Sequence, residues 1–478
     1  MKEPIQIEIT TSLLSTNFYC DVIVVGSGPG GYVTAIRASQ LGFNTAIIEK
    51  ESLGGICLNW GCIPTKALLK SAEVFEYLNH SESYGIEVEN ISKNFEKVIK
   101  RSRNVAGTMS KGVNFLMKKN KIKVYNGYGR VNADKTITVT NNEKKINIAA
   151  EHIIIATGAR SRDIDSLKKD GEKIIGYRKA MVLEKQPKEM IIVGSGAIGV
   201  EFAYFYNSMG TKVTLVEYAK NIAPNEDKDV SKELEKILKK SGVNILCSSK
   251  VIKSEIIGEK VDVKIENKKE TITISGDVVL SAVGIKSNIE DIGLEDLGIE
   301  VENDKIKVDN YYRTNIDNIY AIGDVVLGPA LAHVASAEGI TCIENIKGLN
   351  PNPIDYNNIP GCTYCKPEVA SVGYTEEKAI SEGYDIKVGK FPFSASGKAQ
   401  ASGHNDGFVK VIFDSKYGEW LGCHMIGSNV TEMISEAVLG RKLETTGHEV
   451  LKAIHPHPTL SEAIMEAVAD AYDEVIHL

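Results

Sequence analysis

The sequence predicts an α/β protein, with two doubly wound domains followed by a C-terminal α+β region. Three observations carry that reading. A strand, a glycine-rich turn, a helix and a second strand occur in the same order twice, near residues 19 and 188. The 478 residues suffice for roughly three domains at ~150 residues each. The final stretch alternates strand-like and amphipathic helical segments but holds no third copy of the pattern.

With 25% charged and 43% hydrophobic residues, the composition is that of an ordinary globular chain. The net charge is −7, and the lysine clusters in "MKKNKIK", "NNEKKINI" and "DSLKKDGEK" are interleaved with acids and Asn. They read as solvated faces, so nucleic acid is not an expected partner. No apolar run approaches the ~20 residues of a membrane span. The opening "MKEPIQIEITTSLLSTNFYC" lacks the basic start and unbroken apolar core of a secretory signal and contains no Arg. It reads as a short extension ahead of the first strand, and the chain as cytoplasmic, or of the mitochondrial matrix if eukaryotic.

The first copy of the repeat is "YCDVIVVGSGPGGYVTAIRASQLGFNTAIIEK", and the second is "KEMIIVGSGAIGVEFAYFYNSMGTKVTLVEY". Each holds G-x-G-x-x-G after a β-branched strand: Gly26, Gly28 and Gly31 in one, Gly194, Gly196 and Gly199 in the other. Each second strand ends in an acid, Glu49 or Glu217. The first Gly permits the turn, the second admits a pyrophosphate to the backbone, and the third lets helix and strand pack closely. The phosphates then meet the free N–H groups of a helix N-terminus, and the acid accepts ribose hydroxyls. Two such Rossmann-like sites predict two dinucleotides. Glu217 would repel a 2′-phosphate and no Arg follows in "VEYAKNIAPNED", which favours NAD over NADP. The other cofactor is then most simply a flavin, FAD.

Apolar strands ending in glycine recur at "HIIIATGAR" and "VVLSAVGIK" and read as crossovers between the two domains. "NIYAIGDV" places Gly323 and Asp324 after a strand, where a carboxylate could bind ribityl or ribose hydroxyls or simply cap a turn. The Pro/Asn-rich "KGLNPNPIDYNNIPG" marks a boundary. The expected division is 1–155 and 285–351 for the FAD-binding domain, 156–284 for the NAD-binding domain, and 352–478 for an interface domain. Segments such as "GFVKVIFD" and "WLGCHMIG" supply strands to the last of these.

There are eight cysteines: Cys20, Cys57, Cys62, Cys247, Cys342, Cys362, Cys365 and Cys423. Cys57 and Cys62 stand close together in "GGICLNWGCIPTK". They could be a staple, metal ligands, or a disulfide that opens and closes. In a long chain without a secretory signal, redox use or metal binding is the more probable pair of readings. No second Cys/His pair stands at finger-like spacing, which argues against zinc. Cys62 precedes "IPTKALLKSAEVFEYL", and a helix N-terminus favours the thiolate.

"GGICLNWGCIPTKALL", both fingerprints, "ATG", "AIGD", "PEVASVG" and "HPHPTLSEA" occur in one order over nearly the whole chain after about residue 20. In these motifs the chain resembles the flavin-dependent pyridine nucleotide–disulfide oxidoreductases, and most of all those that oxidise dihydrolipoamide. The resemblance implies that Cys57 is the interchange thiol and Cys62 the charge-transfer thiol of a redox disulfide. It implies Lys66 beside the flavin with Glu201 as its partner acid, and His457 with Glu462 as an acid–base pair. It adds Gly127, Gly158, Asp324 and Ala332 to the FAD site, and Val251 and Gly284 to the NAD site. It further implies a homodimer in which His457 reaches the other subunit's cysteines. The implied partners are lipoyl-bearing proteins of 2-oxo acid dehydrogenase or glycine cleavage complexes.

Read without the family, several of these residues have plainer roles. Glu201 is then a surface acid near a helix N-terminus, worth ~0.3–1 kcal/mol. His457 stands between Pro456 and Pro458 and could belong to a rigid loop. "TLSE" fits a capping box with Thr459 as N-cap and Glu462 at N3. His455 is nearby but does not match the family base. Two departures stand out. Trp60 occupies a position where many relatives carry a different residue, and Cys365 replaces a frequent Thr and forms C-x-x-C with Cys362. Redox use of that second pair would need a strand-to-helix turn, whereas the segment reads as an interface strand. Glutathione-, trypanothione- and mercury-directed reductases are the nearest alternatives. Glu217 is wrong for their NADPH, and the chain ends "AYDEVIHL" without a mercuric reductase's cysteine pair. A dinucleotide-binding redox sensor without turnover is the alternative from another class.

Overall fold

The computed structural model describes residues 18–478, so most of the expected N-terminal extension lies outside the described residues. Its end does not: Phe18 to Cys20 already belong to the strand Phe18–Val25. The chain divides into two compact units. One holds residues up to Gly55, Ser110–Ala159 and Ser287–Ile354, and the other holds Ile56–Met109, Arg160–Lys286 and Asp355–Leu478.

The first unit is built on a seven-stranded sheet. The strand Phe18–Val25 lies between Thr45–Glu49 and Lys144–Ile155, parallel to both. Val22, Ile23, Val24 and Val25 are all buried, as a strand covered on both faces requires. Parallel neighbours need a crossover, and the helix Pro29–Gln40 supplies it. Lys123–Asn126 and Ile319–Ala321 add parallel strands, while Thr136–Asn141 and Tyr128–Val131 extend the sheet in antiparallel fashion.

The second unit repeats the plan. Glu189–Val193 lies between the parallel strands Lys212–Val216 and Val278–Ser281, with the helix Ala197–Ser208 as crossover. Three antiparallel strands, Lys250–Ile257, Lys260–Glu266 and Thr271–Gly276, sit apart from that sheet. The same unit carries both cysteines, Cys57 in the helix Gly55–Trp60 and Cys62 at the start of the helix Cys62–Asn79, and the C-terminal sheet. That five-stranded sheet is wholly antiparallel, centred on Trp420–Gly427. The helix Glu462–Ala471 packs on it through Ala463, Ile464, Ala467 and Val468. At Gly389 a Cβ would stand 1.9 Å from Ala467 O, so glycine lets this helix lie directly on the strand Ile386–Pro392. The final helix is thereby seated on the sheet. Among the described residues no helix is long and apolar enough to cross a membrane.

Candidate active site and cofactor folds

The two glycine turns share one geometry. Gly26 has φ +107°, and a Cβ there would stand 2.2 Å from Ala156 O; Gly194 has φ +99° and 2.4 Å to Ala282 O. A Cβ on Gly31 would lie 1.9 Å from Gly26 O, and one on Gly199 1.9 Å from Gly194 O. Backbone fills these places, so only glycine fits. Gly28 and Gly196 are different: among the described residues nothing lies within 4 Å of where their Cβ would be. Each is the N-cap of its helix, so open space sits over free helical N–H groups. That is the shape and sign of a pyrophosphate cradle, and both turns fit a dinucleotide.

The acids match as well. One oxygen of Glu49 accepts the N–H of Ser27 at 3.0 Å and its hydroxyl, and the other accepts the Glu51 N–H at 2.8 Å. One oxygen of Glu217 accepts the N–H and hydroxyl of Ser195 at 2.9 and 2.6 Å, and the other accepts Ala219 N–H at 2.7 Å. Each carboxylate is pinned beside its turn with lone pairs left for ribose hydroxyls. Ser27 and Ser195 are absent from the sequence candidates, although the shared G-S-G at both turns was a signal for them.

The remaining cofactor candidates are more scattered. Gly127 donates its N–H to Glu49 O at 2.8 Å, and Gly158 O accepts from Asn288 N–H. Ala332 opens the helix Ala332–Ile346, whose buried Glu338 accepts the Gly323 N–H at 2.6 Å. Burial pushes the neighbouring Asp324 carboxyl up, against the pull of Lys305. Gly284 O accepts from Arg162 N–H. Val251 turns its side chain into a core shared with Val193 and Val216, which leaves only its backbone for a ligand.

Cys57 and Cys62 form a disulfide with Cα atoms 4.7 Å apart. Cys62 is the first residue of its helix, as expected, but Cys57 also lies in a helix, Gly55–Trp60, which the glycines of "GGICLNWG" conceal. Gly61 between them would bring a Cβ to 3.2–3.4 Å from Ile56 and Cys57, tighter than most side chains tolerate. One turn beyond Cys62, Lys66 Nζ reaches both oxygens of Glu201, at 2.9 and 3.0 Å. Glu201 is not the surface acid that the residues alone suggest. It lies one turn inside the helix Ala197–Ser208 and is only 5% exposed. It also accepts the Tyr364 N–H at 3.1 Å, while Lys66 Nζ stands 4.2 Å from the centre of the Tyr364 ring. Tyr364 has no local sequence signal and completes this group through a contact 163 residues away. Burial, with the Cys362 thiol beside it, pushes the Tyr364 hydroxyl up to about 12.

His457 Nδ1 is 2.9 Å from Glu462 Oε1, and its ring is largely exposed, at 80%. Glu462 Oε2 accepts the Thr459 N–H at 2.7 Å. The capping box is therefore half correct. Thr459 is no N-cap: the helix starts at Glu462 behind Ser461, and the Thr459 hydroxyl donates to Pro456 O. Desolvation works against the charged Glu462 carboxyl, but the Thr459 N–H and His457 together hold it below its ordinary range. His455 has both ring nitrogens engaged, Nε2 with Glu436 at 2.7 Å and Nδ1 with Ala453 O at 3.2 Å. Cys362 and Cys365 are free thiols. Burial pushes Cys362 up to about 11 and Cys365 further, and Cys365 donates to Pro367 O at 3.0 Å. Cys362 lies within the strand Gly361–Thr363 and Cys365 in the turn before Glu368–Gly373, with no helix opening there.

Two nucleotide folds with a cysteine disulfide one turn from a half-buried ion pair define a class of protein. The chain belongs to the pyridine nucleotide-disulphide oxidoreductase family, whose profile matches residues 20–339, with the family's dimerisation domain matching residues 359–468. It is 48% identical over 475 residues to the dihydrolipoyl dehydrogenase of Rhizobium etli, covering 96% of this chain and 99% of that one. Against the dihydrolipoyl dehydrogenase of Bacillus subtilis the identity is 47% over 468 residues, with the same coverage. The crystal structure of LpdA from Mycobacterium tuberculosis is similar at a TM-score of 0.88 and 25% identity, covering 94% of this chain and 99% of that one. The flavoprotein disulfide reductase RclA of Escherichia coli, in its Cu(II) complex, is similar at 0.85 and 26%, with 94% and 99% covered.

Proposed function

We propose that this protein oxidises dihydrolipoamide, carried on lipoyl-bearing proteins of 2-oxo acid dehydrogenase or glycine cleavage complexes, and reduces NAD⁺. The observation that carries the reading is the Cys57–Cys62 disulfide at a helix N-terminus, one turn ahead of the Lys66–Glu201 pair. Gly26, Gly28, Gly31 and Glu49 hold FAD, and Gly194, Gly196, Gly199 and Glu217 hold NAD. When bound, FAD supplies the two-electron acceptor that links a dithiol to hydride chemistry at NAD⁺.

His457 is the base. Its Nδ1–H donates to Glu462, which fixes the tautomer and leaves Nε2 to take a proton from a substrate thiol. The thiolate attacks Cys57 Sγ, forming a mixed disulfide and releasing Cys62 as a thiolate. The second substrate thiol, once deprotonated, attacks the substrate sulfur, closes oxidised lipoamide and frees Cys57. One electron pair has then moved from substrate to the cysteine pair. The positive end of the helix Cys62–Asn79 favours the Cys62 thiolate. Lys66, held by Glu201, keeps a cation one turn beyond it. In the homodimer His457 serves the cysteines of the other subunit, which suits a ring exposed on its own chain.

The test is steady-state turnover of dihydrolipoamide with NAD⁺ and with NADP⁺, against glutathione disulfide with NADPH. NADH formation from dihydrolipoamide, at least tenfold preferred over NADPH formation, is expected. Turnover of glutathione disulfide alone would discard the substrate.

A further inference from the structure

The segment between the two cysteines is held from outside by an arginine-bearing helix. Three consecutive side chains of Phe95–Lys119 donate to carbonyls along the cysteine helices. Arg103 donates to Asn59 O, Ser102 to Pro64 O at 2.9 Å, and Arg101 to Ala67 O at 2.6 Å. Ser102 is wholly buried. The Arg103 guanidinium also stands 4.6 Å from the centre of the Trp60 ring, and that of Arg178 stands 5.6 Å from it. Trp60 closes the helix that bears Cys57, Gly61 follows, and Cys62 opens the next helix. Two cations therefore lie beside the ring of the residue that closes the Cys57 helix, two positions before Cys62. Arg103 Nε is buried without a hydrogen-bond partner among the described residues, and desolvation holds the guanidinium below its ordinary value.

Resting on the reading of Cys57–Cys62 as the working disulfide, we propose that Arg103, held on the Trp60 ring, is a positioning residue that makes this disulfide easier to reduce. Opening the disulfide creates thiolate charge, and closing it removes that charge. A cation at the junction stabilises only the open state. Cation–π attraction to Trp60 and the bond to Asn59 O keep the guanidinium there. Trp60, a departure from many relatives, thus has a part: it holds the cation where an aliphatic side chain could not.

The test equilibrates holoenzyme anaerobically in dithiothreitol buffers of graded thiol-to-disulfide ratio. Samples are quenched with iodoacetamide, and the Cys57–Cys62 peptide is quantified by mass spectrometry. Arg103→Met should lower the equilibrium constant for reduction about three- to tenfold, tenfold being ~30 mV for a two-electron couple. Arg103→Lys, which keeps the charge, should stay within about twofold of wild type. Trp60→Val, which lets the guanidinium leave, should shift the constant the same way as Arg103→Met by at least about twofold. It serves where Arg103→Met does not fold. An unchanged constant in Arg103→Met or Trp60→Val, or equal shifts in Arg103→Met and Arg103→Lys, would overturn the proposal. A wild-type disulfide opened by dithiothreitol but not by dihydrolipoamide would instead overturn the proposed substrate and leave the role of Arg103 standing.

Discussion

Glu462 holds His457 with one carboxylate oxygen, 2.9 Å from Nδ1, and the Thr459 N–H with the other, at 2.7 Å. Holding the His457 ring and tying down the loop ahead of the helix therefore use different oxygens of one carboxylate and do not compete. If His457 is the base proposed above, Glu462→Gln should keep part of the Thr459 contact yet weaken the hold on the imidazolium. The expected loss in dihydrolipoamide kcat is about 10–100-fold, within the usual span of general-base effects. His457→Gln should cost ~10³-fold or more, whereas His455→Gln should leave turnover within a few-fold. A wild-type rate in His457→Gln would move the base elsewhere.

The same carboxyl gives a pH dependence of stability. Its folded value lies below 4.5, so its contribution is present above 4.5 and is lost as pH falls through the depressed value. Thermal melting between pH 5 and 3 should therefore fall less steeply in Glu462→Gln than in wild type. Parallel curves would remove Glu462 from that linkage.

Glu217 accepts three hydrogen bonds while buried, so replacing it disturbs more than a ribose contact. Glu217→Arg should cut kcat/KM for NAD⁺ at least ~10-fold, the Ser195 N–H and hydroxyl losing their acceptor, and should raise relative use of NADP⁺. An unchanged coenzyme ratio would undo the assignment of the second fold to NAD.

Neighbouring glycines should fail in different ways. Gly196→Ala meets open space, so its melting temperature should stay within about 2 °C of wild type while KM for NAD⁺ rises. Gly199→Ala drives a methyl to 1.9 Å from Gly194 O and should cost ~1–3 kcal/mol of stability by urea denaturation. Equal effects of the two on melting would break the distinction between cradle and packing glycine.

Lys66→Met leaves the buried Glu201 with only the Tyr364 N–H among its three described bonds. The loss should be ~2 kcal/mol, reduced from a fully buried pair because Lys66 is 33% exposed. The double variant Lys66→Met, Glu201→Gln should lose less than the sum of the two single changes. Additive losses would mean that the two residues do not act as a pair.

What the sequence revealed was mostly what is local. The fingerprint glycines, the acids Glu49 and Glu217, and the helix starting at Cys62 all follow from spacing within some thirty residues. Glu201 could be named but not placed, because its burial depends on Lys66, 135 residues away, and on Tyr364. Ser27 and Ser195 look like spacers in a glycine turn until the second strand brings an acid beside them. The helix Gly55–Trp60 gives no sequence signal because its glycines argue for a loop, and Thr459 does not act as the N-cap its spacing suggests because its hydroxyl turns back to Pro456. Arg103 shows nothing in sequence at all; only packing brings it to Trp60.

The most direct test of the relay is an anaerobic titration of purified holoenzyme with dihydrolipoamide, followed by its visible spectrum, with NAD⁺ or NADP⁺ then added. The expected result is a flavin band that gains a long-wavelength shoulder, absent in Cys57→Ser that still holds FAD, and that NAD⁺ but not NADP⁺ reverses. A flavin spectrum unmoved by dihydrolipoamide but reduced by NADPH would contradict the central claim, keeping the fold and giving the disulfide to another substrate.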